Sequence, residues 1–401
     1  MQRLMLRTGT SIIAVVAVLA SLQILPAGRQ EASPYFPPRH EWARKNPEEV
    51  GMNSALLQKA VEFSIARENP ETKDLALALA TSFGREPFGD AIGPTRERGA
   101  LNGLIICKGY LVADWGDTHR VDMTFSVTKS FLSTVVGIAW QRGLIGDVND
   151  RVRDYMPTPE LFASSHNEKI TWDHLLRQTS DWQGILWGKP DWADRPEGER
   201  PSDYPNRKLS EPGTRYKYND VRVNLLAFAA LHVWRRPLPQ VLREEVMEPI
   251  GASNRWRWEG YHNSWVELDG QKIQSVTGGG HWGGGMFIDA HDMARFGYLF
   301  LRNGRWRDRQ IVSEEWIKMA RTPGPANRNY GYMNWFLNTD QKPLPAAPAS
   351  SVTFQGNGAN IIYIDWDNDV VVVVRWIRNN ALNEFIGMVL GSLQPSKLII
   401  E

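Results

Sequence analysis

The sequence predicts an α+β fold: an antiparallel sheet contributed by N- and C-terminal segments, flanked by helices and interrupted by a mainly helical insertion over about residues 147–282. Three observations predict it. Residues 104–107 and 111–115 are apolar runs around Lys108-Gly109, a hairpin signal. Residues 361–365 and 370–376 repeat that pattern near the other end, across Trp366-Asp367-Asn368-Asp369. Between them, from Asp147 to about Trp282, the pattern is helices and long loops with little strand signal.

Taken in order, residues 29–50 are rich in Pro and charge and read as an exposed lead-in. Asn53 caps a helix whose apolar positions are 56, 57, 61 and 63. Residues 69–99 read as loop with one short helix near 75–80. After the first hairpin, residues 126–140 form a helix that is apolar on nearly every face and stops at Gly143, so it is buried all round and central. Helices follow over residues 170–177 (capped by Thr171), 219–234, 238–248, 290–304 and 313–321, the last with Glu314 and Glu315 in its first turn. A helix over residues 383–390 closes the chain.

Composition narrows the function. A net charge of +1 without single-sign runs argues against nucleic-acid binding. The basic start through Arg7 and the apolar residues 11–25 predict a signal peptide or retained anchor over residues 1–28. The single Cys107 can form no intramolecular disulfide, which suits export to a bacterial periplasm or cell surface. Several of the 17 tryptophans (Trp182, Trp187, Trp192, Trp265, Trp282) fall in loop-like stretches, as core packing or as the lining of a cleft.

Ser126 and Lys129 stand three apart at the head of the buried helix, so their side chains share a face. Desolvation would let the lysine accept the serine proton. A capping serine with a snorkelling lysine reads equally well from this stretch alone. No G-x-S-x-G elbow, H-E-x-x-H motif or Cys/His cluster is present, and neither a cofactor nor a metal is expected. His281 and His291, with Asp289 and Asp292 nearby, are the weak exception. Gly278 to Gly285, with no following Lys-Ser or Lys-Thr, reads as backbone passing close to a cleft floor.

Phe125-Ser126-Val127-Thr128-Lys129, then Ile170-Thr171-Trp172-Asp173-His174-Leu175-Leu176, then Pro212-Gly213-Thr214-Arg215-Tyr216-Lys217-Tyr218-Asn219-Asp220, and finally residues 283–297, resemble the penicillin-recognising serine hydrolases. The nearest branch is the class C β-lactamase-like one, with its carboxylesterases, D,D-peptidases and nylon-oligomer hydrolases. The resemblance covers roughly residues 45–395 and implies the β-lactamase/penicillin-binding-protein-like fold. It implies Ser126 as nucleophile, Lys129 as its proton acceptor and Tyr218 as general acid/base, with Tyr216 the rival. Asn357, in Gln355-Gly356-Asn357-Gly358, takes the place of the oxyanion donor, to within one or two positions; such a donor contributes about 3 kcal/mol. Trp182, His281, Gly358 and Asp220 are further substrate-side candidates. Two departures stand out: Asp220 replaces the amide of the family's Y-x-N motif, and the lysine of K-T-G is absent near Gly356. Both favour a small-molecule ester or uncharged amide over a β-lactam, with a β-lactamase, a D,D-peptidase or a silent ligand-binding relative as alternatives.

Overall fold

The computed structural model describes residues 34–157 and 159–394; the predicted signal or anchor lies outside them. In chain order its main elements are α1 (Ser54–Ile65), β1 (Asn102–Cys107), β2 (Tyr110–Trp115), β3 (Asp122–Met123), α2 (Thr128–Gln141), α3 (Asp220–Trp234), β4 (Arg257–Leu268), β5 (Gln271–Val276), β6 (Gly285–Ile288), α4 (Ala290–Leu301), β7 (Phe336–Leu337), β8 (Val352–Gly356), β9 (Asn360–Asp365), β10 (Val370–Arg375) and α5 (Leu382–Gly391).

The two predicted hairpins meet in one antiparallel sheet of order β7-β8-β9-β10-β1-β2. The seam between the chain's two ends is β1 on β10, from Asn102 opposite Arg375 to Cys107 opposite Val370. Five consecutive valines followed by Arg375 make β10, and β-branched side chains suit a pleated strand covered on both faces. Alternation divides them. Val370, Val372 and Val374 pack with Ile105, Cys107 and Ile361 under α1 and α5, while Val371 and Val373 pack with Leu104, Ile106 and Ile362 under α2 and α4. The first hairpin turns at Lys108 and Gly109, with φ of +51° and +86°, the left-handed pair that a two-residue turn requires. Burial pushes the Cys107 thiol up to about 12, so it is an inert strand residue.

The buried helix is present as α2, every residue from Thr128 to Ala139 being buried. Phe131 stacks on Phe296 of α4 with ring centroids 3.9 Å apart. Its start differs from the sequence reading: α2 opens at Thr128, and Ser126 lies in the 3-10 turn Phe125–Val127 just before it. The largest correction concerns the insertion. β4 and β5 form a long hairpin, turning at Asp269-Gly270 (φ +53° and +73°), inside a region read as helix and loop. With β3 and β6 they make a second sheet of order β3-β6-β4-β5. Among the described residues no helix is long and apolar enough to cross a membrane.

Candidate active site

The chain enters the site through β3 and turns at Phe125, a buried residue with φ +51°. A bulky residue in the left-handed region carries strain of order 1–3 kcal/mol, which the surroundings must hold. Here Thr128 Oγ1 donates to the Phe125 carbonyl at 2.5 Å and accepts from the Met286 N–H at 2.9 Å, pinning the turn to β6. Ser126 is left half-buried at the head of α2. Lys129, fully buried one turn on, donates to Ser126 Oγ at 2.9 Å and to Asp220 Oδ1 at 2.7 Å.

Asp220 is the first residue of α3, whose cap Asn219 accepts from the Arg222 N–H at 3.1 Å. Burial opposes its charge, but Lys129, Arg195 and His281 outweigh that and hold its carboxyl well below the usual range. Its second oxygen receives Arg195 at 3.2 Å, and its backbone N–H donates to Asp194. Tyr218, two residues upstream, places its ring 4.7 Å from Lys129 Nζ and 5.1 Å from Arg195 Cζ. Burial, then the Asp220 charge, push its phenol up, against a hydrogen bond with Ser126. It is therefore a neutral proton donor at ordinary pH. The rival Tyr216 packs on Tyr330, with centroids 5.0 Å apart.

The glycine-rich loop passes directly over this ion pair. A Cβ at Gly279 would stand 1.8 Å from Asp220 Oδ1 and 2.3 Å from Lys129 Nζ. The end of β8 closes the other side, where a Cβ at Gly356 would meet the Thr124 carbonyl oxygen at 2.0 Å and the Ser126 nitrogen at 3.2 Å. Asn357 follows, exposed, just beyond that approach. Gly358 has φ +72° and backs onto Trp376, where a Cβ would fall 2.5 Å from the ring; its part is the turn.

Three expectations change. Trp182 is fully buried and donates through Nε1 to the Leu161 carbonyl at 2.7 Å, so it is core rather than cleft wall. Trp282 is equally buried, whereas Trp265 is 46% exposed on the β4–β5 hairpin, so Trp182, Trp265 and Trp282 share no cleft. Asp220 does not face a substrate, because both oxygens are taken by cations. His281 is buried between two carboxylates, with Nε2 2.8 Å from Glu86 and Nδ1 3.8 Å from Asp194. Glu86, Asp194 and His281 offer atoms within 4.8 Å of one another. Only Nε2 is hydrogen-bonded, however, Nδ1 lying beyond hydrogen-bond reach of Asp194, and Arg195 already occupies Asp194. His291 is elsewhere, stacked on His119 at 4.1 Å. The reading from sequence missed Arg195, Asp194 and Glu86, which reach the site from other segments of the chain with no local motif to mark them.

The β-lactamase family model matches residues 115–381, which is 267 of the 401 residues counted inclusively. A protein of Escherichia coli (strain K12), provisionally named a D-alanyl-D-alanine carboxypeptidase, is 22% identical over 281 residues, covering 56% of this chain and 62% of its own. A like-named protein of Escherichia coli O157:H7 is 23% identical over 41% of this chain and 45% of its own, so the chain spans less than two thirds of these relatives. Among solved structures, a family VIII carboxylesterase superposes with a TM-score of 0.54 at 16% identity, over 86% of this chain and 99% of the other. A β-lactamase from Mycobacterium bovis gives 0.53 at 19% identity, over 80% and 100%. These identities speak to the fold, and the match over most of the chain to the family: this protein belongs to the β-lactamase family of serine hydrolases.

Proposed function

We propose that the protein is an exported hydrolase that cleaves small esters or uncharged amides through an acyl-enzyme on Ser126. The observation that carries this reading is the 2.9 Å bond from Lys129 Nζ to Ser126 Oγ at the head of a buried helix, with Tyr218 against both. Ser126 Oγ attacks the carbonyl carbon as its proton passes to Lys129, acting in the form that has lost a proton. Asp220, held ionised at 2.7 Å, stabilises the ammonium so formed. The developing oxyanion is received by the backbone N–H groups of Ser126 and Asn357. Tyr218 protonates the departing alcohol or amine and is reprotonated from Lys129. Water then attacks the acyl-enzyme by the reverse proton path, releasing the acid.

The test is hydrolysis of short aryl esters together with labelling by a fluorophosphonate. Ser126→Ala should abolish labelling and lower kcat by a factor on the order of 10⁴ or more, as loss of an activated nucleophile does. A variant that is still labelled and as fast as the parent would sink the reading. A β-lactamase or D,D-peptidase is the second reading, favoured by the names of the curated relatives. No lysine or arginine occurs in Gln355 to Gly358 to meet a substrate carboxylate, which argues against it. Nitrocefin turnover or covalent labelling by a fluorescent penicillin would establish it.

A further inference from the structure

Next to the nucleophile the structure carries an arginine that the mechanism above does not use. Arg195 has φ +50°, a left-handed conformation that is unfavourable for a long side chain. It reaches back onto its neighbour Asp194 and across to Asp220 Oδ2 at 3.2 Å. Its guanidinium lies over the rings of Tyr218 and Phe83, at 5.1 and 5.8 Å. The loop that carries it is fixed upstream, where Asn219 Nδ2 donates to the Asp191 carbonyl at 2.7 Å and Asp191 Oδ2 receives Arg207 and Arg222. Strain held in this way beside a reaction centre calls for a function.

We propose that Arg195 is a positioning residue for the Ser126–Lys129 pair, taking one oxygen of Asp220 so that Asp220 and Arg195 stand beside the nucleophile as one electrically neutral unit. The inference rests on the reading of Ser126 as nucleophile. Lys129, Asp220, Arg195 and Asp194 form a continuous chain of contacts whose charges sum to zero once Lys129 has taken the serine proton. A buried carboxylate held by Lys129 alone would keep the proton on the one residue that has to take it from Ser126. Sharing the carboxylate with Arg195 leaves Lys129 anchored while weakening the pull of Asp220 on its proton. The groups facing Asp220 are Lys129 from α2, Tyr218 and Arg195 from the two flanking segments, Asp194 at its backbone, and His281 and Tyr261 from behind.

The experiment is a double-mutant cycle read as kcat/KM against pH on an aryl ester. Arg195→Gln leaves the four-residue chain one unit negative, and Asp220→Asn leaves it one unit positive. Each should lower kcat/KM by at least about tenfold. The acid limb of the profile should move to higher pH in Arg195→Gln and to lower pH in Asp220→Asn. The double variant restores the zero sum, so its loss should be smaller than the product of the single losses by about tenfold or more, with the acid limb returned toward the parent position. Arg195→Lys, which keeps the charge, should leave the limb in place and so separates charge from packing. Losses that multiply in the double variant, or profiles that fall without moving, would overturn the proposal and leave Arg195 as a brace for its loop. Ser126→Ala as active as the parent would instead overturn the site reading, and this inference with it.

Discussion

At position 279 a single methyl group would land on the ion pair, 1.8 Å from Asp220 Oδ1 and 2.3 Å from Lys129 Nζ. Neither partner can retreat, because Lys129 is fully buried and Asp220 begins a helix. Gly279→Ala should therefore lower kcat/KM by about 100-fold, the cost of displacing a reacting group by roughly an ångström. Thermal melting followed in parallel would show a smaller change than outright unfolding. Parent-like turnover would mean that the Lys129–Asp220 contact is dispensable. The triad candidates were legible because motifs are local: Ser126 and Lys129 are three apart, and Tyr218 and Asp220 two. Arg195 was not, since it meets Asp220 across 25 residues from a loop whose composition marks nothing. Asp220 was legible as an anomaly but misread in role, because its partner Lys129 lies 91 residues away.

At the scale of elements, α3 organises the loop that carries Asp194 and Arg195. Arg222 Nη2 donates to Asp181 Oδ1 at 2.7 Å and Asp191 Oδ2 at 3.3 Å, and Arg207 reaches the same two acids at 2.7 and 2.6 Å. All four side chains are buried. Burial opposes the Asp181 charge, but Arg222, the Ser210 N–H and Arg207 hold its carboxyl below the usual range. Removing one member leaves buried carboxylates undercompensated, which typically costs about 3–5 kcal/mol. Arg222→Met should lower the urea midpoint by a corresponding amount, whereas a midpoint within experimental error of the parent would show the network to be redundant. Element boundaries were legible where caps announced them, as with Asn53 and Thr171, each of which accepts from a backbone N–H in its helix's first turn. The β4–β5 hairpin escaped although Asp269-Gly270 is a good turn pair. Its strands carry exposed polar residues on both faces, and a bulge between Gly260 and Trp265 breaks the alternation that would have declared them.

For the whole molecule, the joining of the chain's two ends through β1 and β10 was legible from apolar runs alone. The contacts that tie the connection after β2 to α4 were not, because they depend on isolated histidines. His291, at the start of α4, bonds Thr118 Oγ1 at 3.0 Å and stacks on His119 at 4.1 Å. Burial, then the neighbouring His119, lower it from an ordinary 6.5 to about 4. The unfolded chain thus binds a proton there that the folded chain refuses between those two values. Stability from this group is fully present above about pH 6.5 and is lost progressively as the pH falls toward 4. His174 and His232 are lowered by burial in the same direction, so they add to the loss. The carboxylates held low, Asp181 and Asp220, contribute a separate loss that begins as the pH falls into the ordinary carboxylate range, where the unfolded chain takes up protons, and continues below it. Asp289, pushed up to about 7 by burial and then by Asp292, works in the opposite sense over the upper window, so the share of His291 in the melting curve from pH 7 to 3 is read as the difference between parent and variant. His291→Gln should lose less melting temperature than the parent between about pH 6.5 and 4 and run parallel to it below. A loss over that window as steep in the variant as in the parent would place its origin in other groups.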